Sequence, residues 1–205
     1  AGRQNGHVLM RITGGLARGR RLLGPKGDQQ LLRPACDRVR EALFARLEHY
    51  GVLDGAGVLD LCAGSGALGL EAASRGAREV TLVDSSRSAT TVCRRNARSL
   101  GLAGVRVATA TAAAFLAGAA GAPVDLVLVD PPYDLGEERL TAMLAALARS
   151  SDPWLAPRAV VVVERSARSP EPAWPAGLGR FADRRYGETA VWFAEPDGDR
   201  AGETG

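Results

Sequence analysis

The chain has 205 residues, 46% of them hydrophobic, and a formal net charge of +3. One substantial core is therefore affordable and no apolar run approaches the ~20 residues of a membrane span, so a single-domain cytoplasmic protein without membrane attachment is expected. The three cysteines (Cys36, Cys62, Cys93) are scattered without C-x-x-C spacing and the two histidines stand apart, which argues against a disulfide framework and offers no metal site.

In chain order, residues 1–9 read as an extension, with Met10 as a natural start. Arg11-Ile12-Thr13 and Arg20-Arg21-Leu22-Leu23 flank a glycine-rich run from Gly14 to Gly19, the pattern of a short hairpin, so residues 10–34 are expected to form a basic arm. A helix is predicted over about residues 36–49, with Val39, Leu43, Phe44 and Leu47 at helical spacing and with Arg38 and Arg40 leaving on other faces. Residues 35–195 then form the main domain. Strands are expected at 57–61, 79–84, 104–108, 124–129 and 159–164, with helices at 66–75, 86–100, 111–118 and 136–149 between them. Such alternation implies an α/β fold, a mostly parallel sheet with helices on both faces and ligands at the carboxyl ends of the strands. A last hairpin, 180–186 and 189–194 about Gly187-Glu188, would complete seven strands, and residues 196–205 read as a frayed, disordered tail.

The first predicted parallel strand runs into Asp60-Leu61-Cys62-Ala63-Gly64-Ser65-Gly66 and an apolar helix. Gly64 and Gly66 let the backbone approach a ligand, and the helix aims its positive end at the turn. Gly64, Gly66 and Gly69 also satisfy G-x-G-x-x-G, and Asp84 ends the next strand where a ribose-binding acid belongs, so a nicotinamide enzyme is a rival reading. Asp60 separates the two, because its charge ahead of the glycines would repel a pyrophosphate but attract the ammonium of S-adenosylmethionine. Asp60, Ala63, Gly64, Ser65, Gly66, Asp84 and Ser85 are accordingly the candidate cofactor residues. Cys62 and Cys93 read as small packing residues.

The strand at 124–129 ends in Asp130-Pro131-Pro132-Tyr133. Two prolines stop a strand for structural reasons alone. A rigid acidic turn at a carboxyl strand end also suits gripping a planar exocyclic amine during methyl transfer, and these four residues are the candidate catalytic set.

The charge is uneven. Among residues 1–46, ten basic and three acidic residues give +7, so the whole-chain value of +3 leaves −4 for the rest. A polyanion would be drawn to the amino-terminal part, with Arg11, Arg18, Arg20, Arg33, Arg38 and Arg40 as candidate nucleic-acid contacts.

Taken in order over residues 10–194, these motifs resemble the RsmD-type 16S ribosomal RNA guanine-N2 methyltransferases. The resemblance rests on Arg11 to Gly15 with Arg18-Gly19-Arg20, on Arg33-Pro34 with Asp37 to Glu41, on Asp60 to Glu71 with Ser74 to Ala77, and on Asp130 to Tyr133. It implies a Rossmann-like class I S-adenosylmethionine-dependent methyltransferase acting on 16S rRNA, within a small ribosomal subunit or its assembly intermediate. Two places depart from the family pattern. Ala35 stands where threonine usually follows Arg-Pro, and Thr111 stands where many members hold the adenine amine with an acid, which leaves adenine to backbone groups near Ala112. The implied chemistry has Asp130 and the Pro131 carbonyl accepting hydrogen bonds from the amine while Tyr133 stacks on a base drawn from its stack. Glu164 and Tyr186-Gly187 could border such a pocket or be ordinary strand-end and turn residues. An adenine-N6 or protein-glutamine methyltransferase is an alternative, as is a non-catalytic RNA-binding assembly factor, against which the intact Asp60, Asp84 and Asp130 argue.

Overall fold

The computed structural model describes residues 8–24, 34–149, 151 and 153–198. Its elements are β1 (Val8–Arg11), β2 (Arg21–Leu23), α1 (Pro34–His49), β3 (Gly57–Leu61), α2 (Ala67–Ser74), β4 (Glu79–Asp84), α3 (Arg87–Leu100), β5 (Val105–Thr109), α4 (Ala112–Leu116), β6 (Val124–Val129), α5 (Glu137–Leu147), β7 (Leu155–Ser166), β8 (Leu178–Tyr186) and β9 (Thr189–Pro196). β1 and β2 pair antiparallel as a small ribbon. The remaining strands form one sheet in the order β5-β4-β3-β6-β7-β9-β8, in which β5, β4, β3, β6 and β7 are parallel and β9 runs antiparallel between β7 and β8. Strand order reverses between β3 and β6, and a crevice opens at such a switch point, at the carboxyl ends of the strands.

Strand alternation splits the core in two. Val58, Leu82, Leu126, Leu128 and Val162 face one side, where they pack with α1, α2, α3 and the β1–β2 ribbon. Leu59, Leu61, Val127, Val129 and Val163 face the other, against α4 and α5. Because both faces are covered, β6 is apolar at consecutive positions, as strands buried on both sides are. Met10, Ile12, Ala17 and Leu22 share a core cluster with Leu43, Phe44 and Leu47 of α1, so the ribbon is packed into the domain it precedes.

The loop from Ile12 to Arg20 docks on the last turns of α2 and α3. Leu16 donates its N–H to the Ser74 carbonyl (2.7 Å), the Ala17 N–H meets Ser74 Oγ (2.9 Å), and the Arg20 guanidinium reaches the Ser99 carbonyl (2.6 Å). Gly15 permits this contact: its φ is +73°, and a Cβ there would lie 1.8 Å from the Ser74 oxygen. Behind the loop lies Glu71, fully buried on α2. Its carboxylate accepts from Thr13 N–H (2.8 Å), Thr13 Oγ1 (2.7 Å), Gly14 N–H (2.8 Å), Arg75 Nε (2.8 Å) and Arg40 Nε (3.3 Å). One carboxylate thus ties the ribbon to α1 and α2.

Several expectations change. Val8 and Leu9 belong to β1, so the extension ends before them, while Ile12 and Thr13 leave the strand because Thr13 turns to Glu71. β7 begins at Leu155, four residues ahead of the reading from sequence; Pro157 sits within an irregularity between the Val124–Leu155 and Leu126–Val160 pairs, where no ladder N–H is required. At the carboxyl end, Pro196 closes β9 and Asp197 exchanges bonds with Gly177, so the tail begins later than residue 196. Residues 1–7 and 199–205 lie outside the described residues.

Candidate active site

The parallel registers align one row of residues at the carboxyl edge. Leu61 pairs with Val83 on one side and Val129 on the other, and Val129 pairs with Val163. The next residue on each strand is Cys62, Asp84, Asp130 and Glu164, all lining a cleft of about 1840 Å³. Pockets for a drug-sized ligand run to roughly 1,000 Å³, so this one can take a donor and an acceptor together.

Asp60 lies two residues before Cys62 on β3, between Leu82 and Leu128 of the neighbouring strands, and is 1% exposed. Its Oδ2 accepts the Gly69 N–H (2.8 Å), whereas its Oδ1 is buried with no partner among the described residues. Gly69 makes that bond possible, since a Cβ there would fall 2.2 Å from a Leu82 methyl and 3.0 Å from Asp60. Burial pushes the Asp60 carboxyl up to about 8 against the Gly69 bond, helped by the charges of Asp130 and Asp84. Asp84 holds the glycine turn, accepting Gly64 N–H and Ser86 N–H at 2.8 Å each. Cys62 bends the chain at φ +65°. Burial raises both its thiol and that of Cys93 to about 12, with the nearby aspartates adding to the effect, so neither is a nucleophile. Asn96 of α3 accepts from Leu23 N–H and donates to the Leu23 and Ser65 carbonyls, fastening β2 to the glycine turn.

Ala63, Gly64, Ser65, Ser85, Thr111 and Ala112 line the cleft with these acids; Gly66, where a Cβ would crowd Leu82, Leu70 and Cys93, is not part of the lining. Thr111 caps α4, its Oγ1 accepting from Ala114 N–H (3.1 Å), and its hydroxyl hydrogen remains able to donate.

On the acceptor side, Leu135 N–H bonds the Pro132 carbonyl (2.9 Å), which closes the turn after β6. Tyr133, 84% exposed, stands on the rim. Asp130 is exposed to the cleft, while burial in the cleft wall raises the Glu164 carboxyl above the ordinary range; Asp130 raises Glu164 further and Arg40 opposes that. Glu164 and Tyr186 do line the cleft.

The candidate nucleic-acid residues divide. Arg40 is corrected: it is 4% exposed, with its guanidinium committed to Glu71, Asp37 (2.7 Å) and the Arg11 carbonyl. It lies three residues before Leu43 and seven before Leu47, on the apolar stripe of α1, a spacing visible in the sequence. Arg18 and Arg20 are exposed, but the loop carrying them docks at the ends of α2 and α3, at the sheet edge opposite the cleft. Neither can hold phosphates beside a base in the cleft unless the RNA turns around that edge. Arg11 and Arg38 are exposed next to Met10 and Val39, which line the cleft. Arg33 lies outside the described residues. Composition alone missed Arg139, Arg165 and Arg168 on the other wall; Arg165 bonds Glu137 (2.9 Å) and the Leu135 carbonyl, bracing the turn after β6.

A family model described as Conserved hypothetical protein 95 matches residues 10–195. Ribosomal RNA small subunit methyltransferase D of Escherichia coli (strain K12) is 38% identical over 188 residues, 91% of this chain and 89% of that one. The protein of the same name from Haemophilus influenzae is 33% identical, covering 78% and 81%. The solved structure of Escherichia coli yhhF superimposes with a TM-score of 0.77 at 36% identity, covering 93% of this chain and 99% of its own. Magnesium protoporphyrin IX methyltransferase from Synechocystis PCC 6803, solved with bound SAM, shares the fold alone, with a TM-score of 0.63 at 19% identity and coverage of 91% and 88%.

Proposed function

Because the chain belongs to the family described as conserved hypothetical protein 95, that of the RsmD-type methyltransferases, and carries their Rossmann-like class I fold, we propose that it methylates the exocyclic N2 amine of a guanine in small-subunit rRNA, with S-adenosylmethionine as donor. The observation that carries this reading is that Asp60 and the row of Asp84, Asp130 and Glu164 open onto one cleft at the switch point, with Asp60 on the donor side and Asp130 on the acceptor side.

The residues fit the donor. The Oδ1 of Asp60, without a partner among the described residues, suits an ammonium group, Asp84 at the end of β4 suits ribose hydroxyls, and the turn from Ala63 to Ser65, with Ser85, Thr111 and Ala112, walls the remainder. S-adenosylmethionine supplies an electrophilic methyl on a sulfonium sulfur that leaves as a neutral thioether.

A guanine amine is a poor nucleophile because its lone pair is delocalised into the ring. The Asp130 carboxylate and the Pro131 carbonyl accept its two N–H bonds, which concentrates electron density on nitrogen and orients the lone pair toward the donor site. The Asp130 carboxylate then takes the proton that the methylated nitrogen sheds. Tyr133 on the rim offers a ring against which an extruded base can stack. Arg11 and Arg38, exposed beside the lining residues Met10 and Val39, and Arg139 and Arg168 of the lining itself hold the flanking phosphates.

Donor binding is expected to release a proton. With its carboxyl near 8, Asp60 is mostly protonated in the free protein at neutral pH, and an ammonium beside it favours the carboxylate. Titration calorimetry in buffers of differing protonation enthalpy should give a net release approaching about one proton per donor bound, with affinity rising toward mildly alkaline pH. Asp60→Asn should bind more weakly and release none.

Which macromolecule is modified is tested with labelled donor and ribosomal particles from a strain lacking its own enzyme. Label should enter small-subunit rRNA. Label confined to duplex DNA or to a protein glutamine would contradict the proposal.

A further inference from the structure

Glu164 is a carboxylate that the chemistry above leaves without a task. It stands on β7 one residue past the Val129–Val163 pair, as Asp130 does on β6, so the two acids occupy neighbouring parallel strands. Such strands lie about 4.8 Å apart, which allows both carboxylates to meet one planar ligand edge. Glu164 is half-buried in the cleft wall and has no hydrogen-bond donor among the described residues. The charged groups that face it are Asp130, which repels it, and Arg40 of α1, whose guanidinium is committed to Glu71, Asp37 and the Arg11 carbonyl. Tyr186 lines the same cleft from the end of β8. For stability alone the position is a poor one for an acid, because burial and the charge of Asp130 both work against ionisation there. A ligand that donates a hydrogen bond would reverse that balance.

A guanine presents two donors side by side, N1–H and the N2 amine, whereas adenine presents an acceptor at N1 beside its N6 amine. We propose that Glu164 reads the identity of the base, its carboxylate accepting N1–H of the target guanine while Asp130 and the Pro131 carbonyl hold the neighbouring N2 amine. Glu164 is then a specificity residue of the acceptor pocket, and the proposal rests on the guanine-N2 reaction inferred above. Adenine, or any purine lacking a hydrogen on N1, brings a lone pair against that carboxylate and is rejected.

The test replaces the target guanine, once mapped, by 2,6-diaminopurine in rRNA assembled from ligated fragments. This base keeps the N2 amine in place but carries an acceptor at N1. The native protein should favour guanine in kcat/KM by roughly 10- to 100-fold. In Glu164→Gln the amide can accept from guanine or donate to diaminopurine, so guanine methylation should fall by a similar factor and the preference should shrink to within a few fold. Donor affinity by calorimetry should stay unchanged, which also reports that the variant is folded. Methylation of guanine N2 with the native preference intact in Glu164→Gln would overturn the role of Glu164 alone, as would an equal loss on both bases. If the native protein methylates no guanine N2, the underlying reaction falls and this inference falls with it.

Discussion

Asp130→Ala should lower methyl transfer by about 10²- to 10³-fold, the loss seen when one preorganised partner of a developing charge is removed, while donor binding persists. The two effects separate because of position. Asp130 follows β6 and opens onto the half of the cleft proposed for the acceptor, whereas the proposed donor contacts come from β3, β4 and the loop ahead of α4. Single-turnover kinetics beside titration calorimetry would measure them independently. Removing Asp130 also takes a negative charge away from Asp60, whose carboxyl should drop somewhat, so donor affinity near neutral pH should hold or tighten slightly. Donor affinity lost in parallel with turnover would mean that Asp130 has been assigned to the wrong ligand.

Glu71→Ala carries the largest expected cost in stability, about 3 kcal/mol, because it removes the carboxylate that Arg40 and Arg75 share, leaving them only Asp37 and Glu48, and takes the acceptor from two backbone amides. Against a typical domain stability of about 5–15 kcal/mol, that is a substantial fraction. The midpoint of denaturant unfolding should fall accordingly. Thr13 and Gly14 lose their acceptor as well, so hydrogen exchange at those amides should accelerate before that of β3 and β6. An unchanged midpoint would show that the ribbon is held by its apolar contacts instead.

The parallel strands and the site acids were legible in sequence because both depend on local pattern. β3, β4 and β6 fall within their predicted bounds, since strands covered on both faces read as continuous apolar runs ended by a polar residue. Asp60, Asp84 and Asp130 share one cleft because each lies at or near the carboxyl end of a strand, and the sheet order brings those ends together. What escaped was long-range. Glu71 looked like one more helix residue, and only the folded loop from Ile12 to Arg20 supplies its donors. Charge counting treated Arg11, Arg18, Arg20 and Arg40 as one basic surface, but a count carries no direction: Arg40 is nearly buried at the base of the cleft and paired with Glu71 and Asp37, and Arg18 and Arg20 ride a loop docked at the far edge. For Arg40 the helical spacing to Leu43 and Leu47 was the available signal; for Arg139 and Arg168 there was none beyond their place near a carboxyl strand end.

The most direct measurement of the central claim, donor and guanine amine meeting between Asp60 and Asp130, is mass spectrometry of nucleosides from small-subunit rRNA methylated by the purified protein with labelled donor. The label should reside in N2-methylguanosine at a single position and enter at least about 100-fold more slowly with Asp130→Ala. Label in N6-methyladenosine, or on a guanine atom other than N2, would contradict the account.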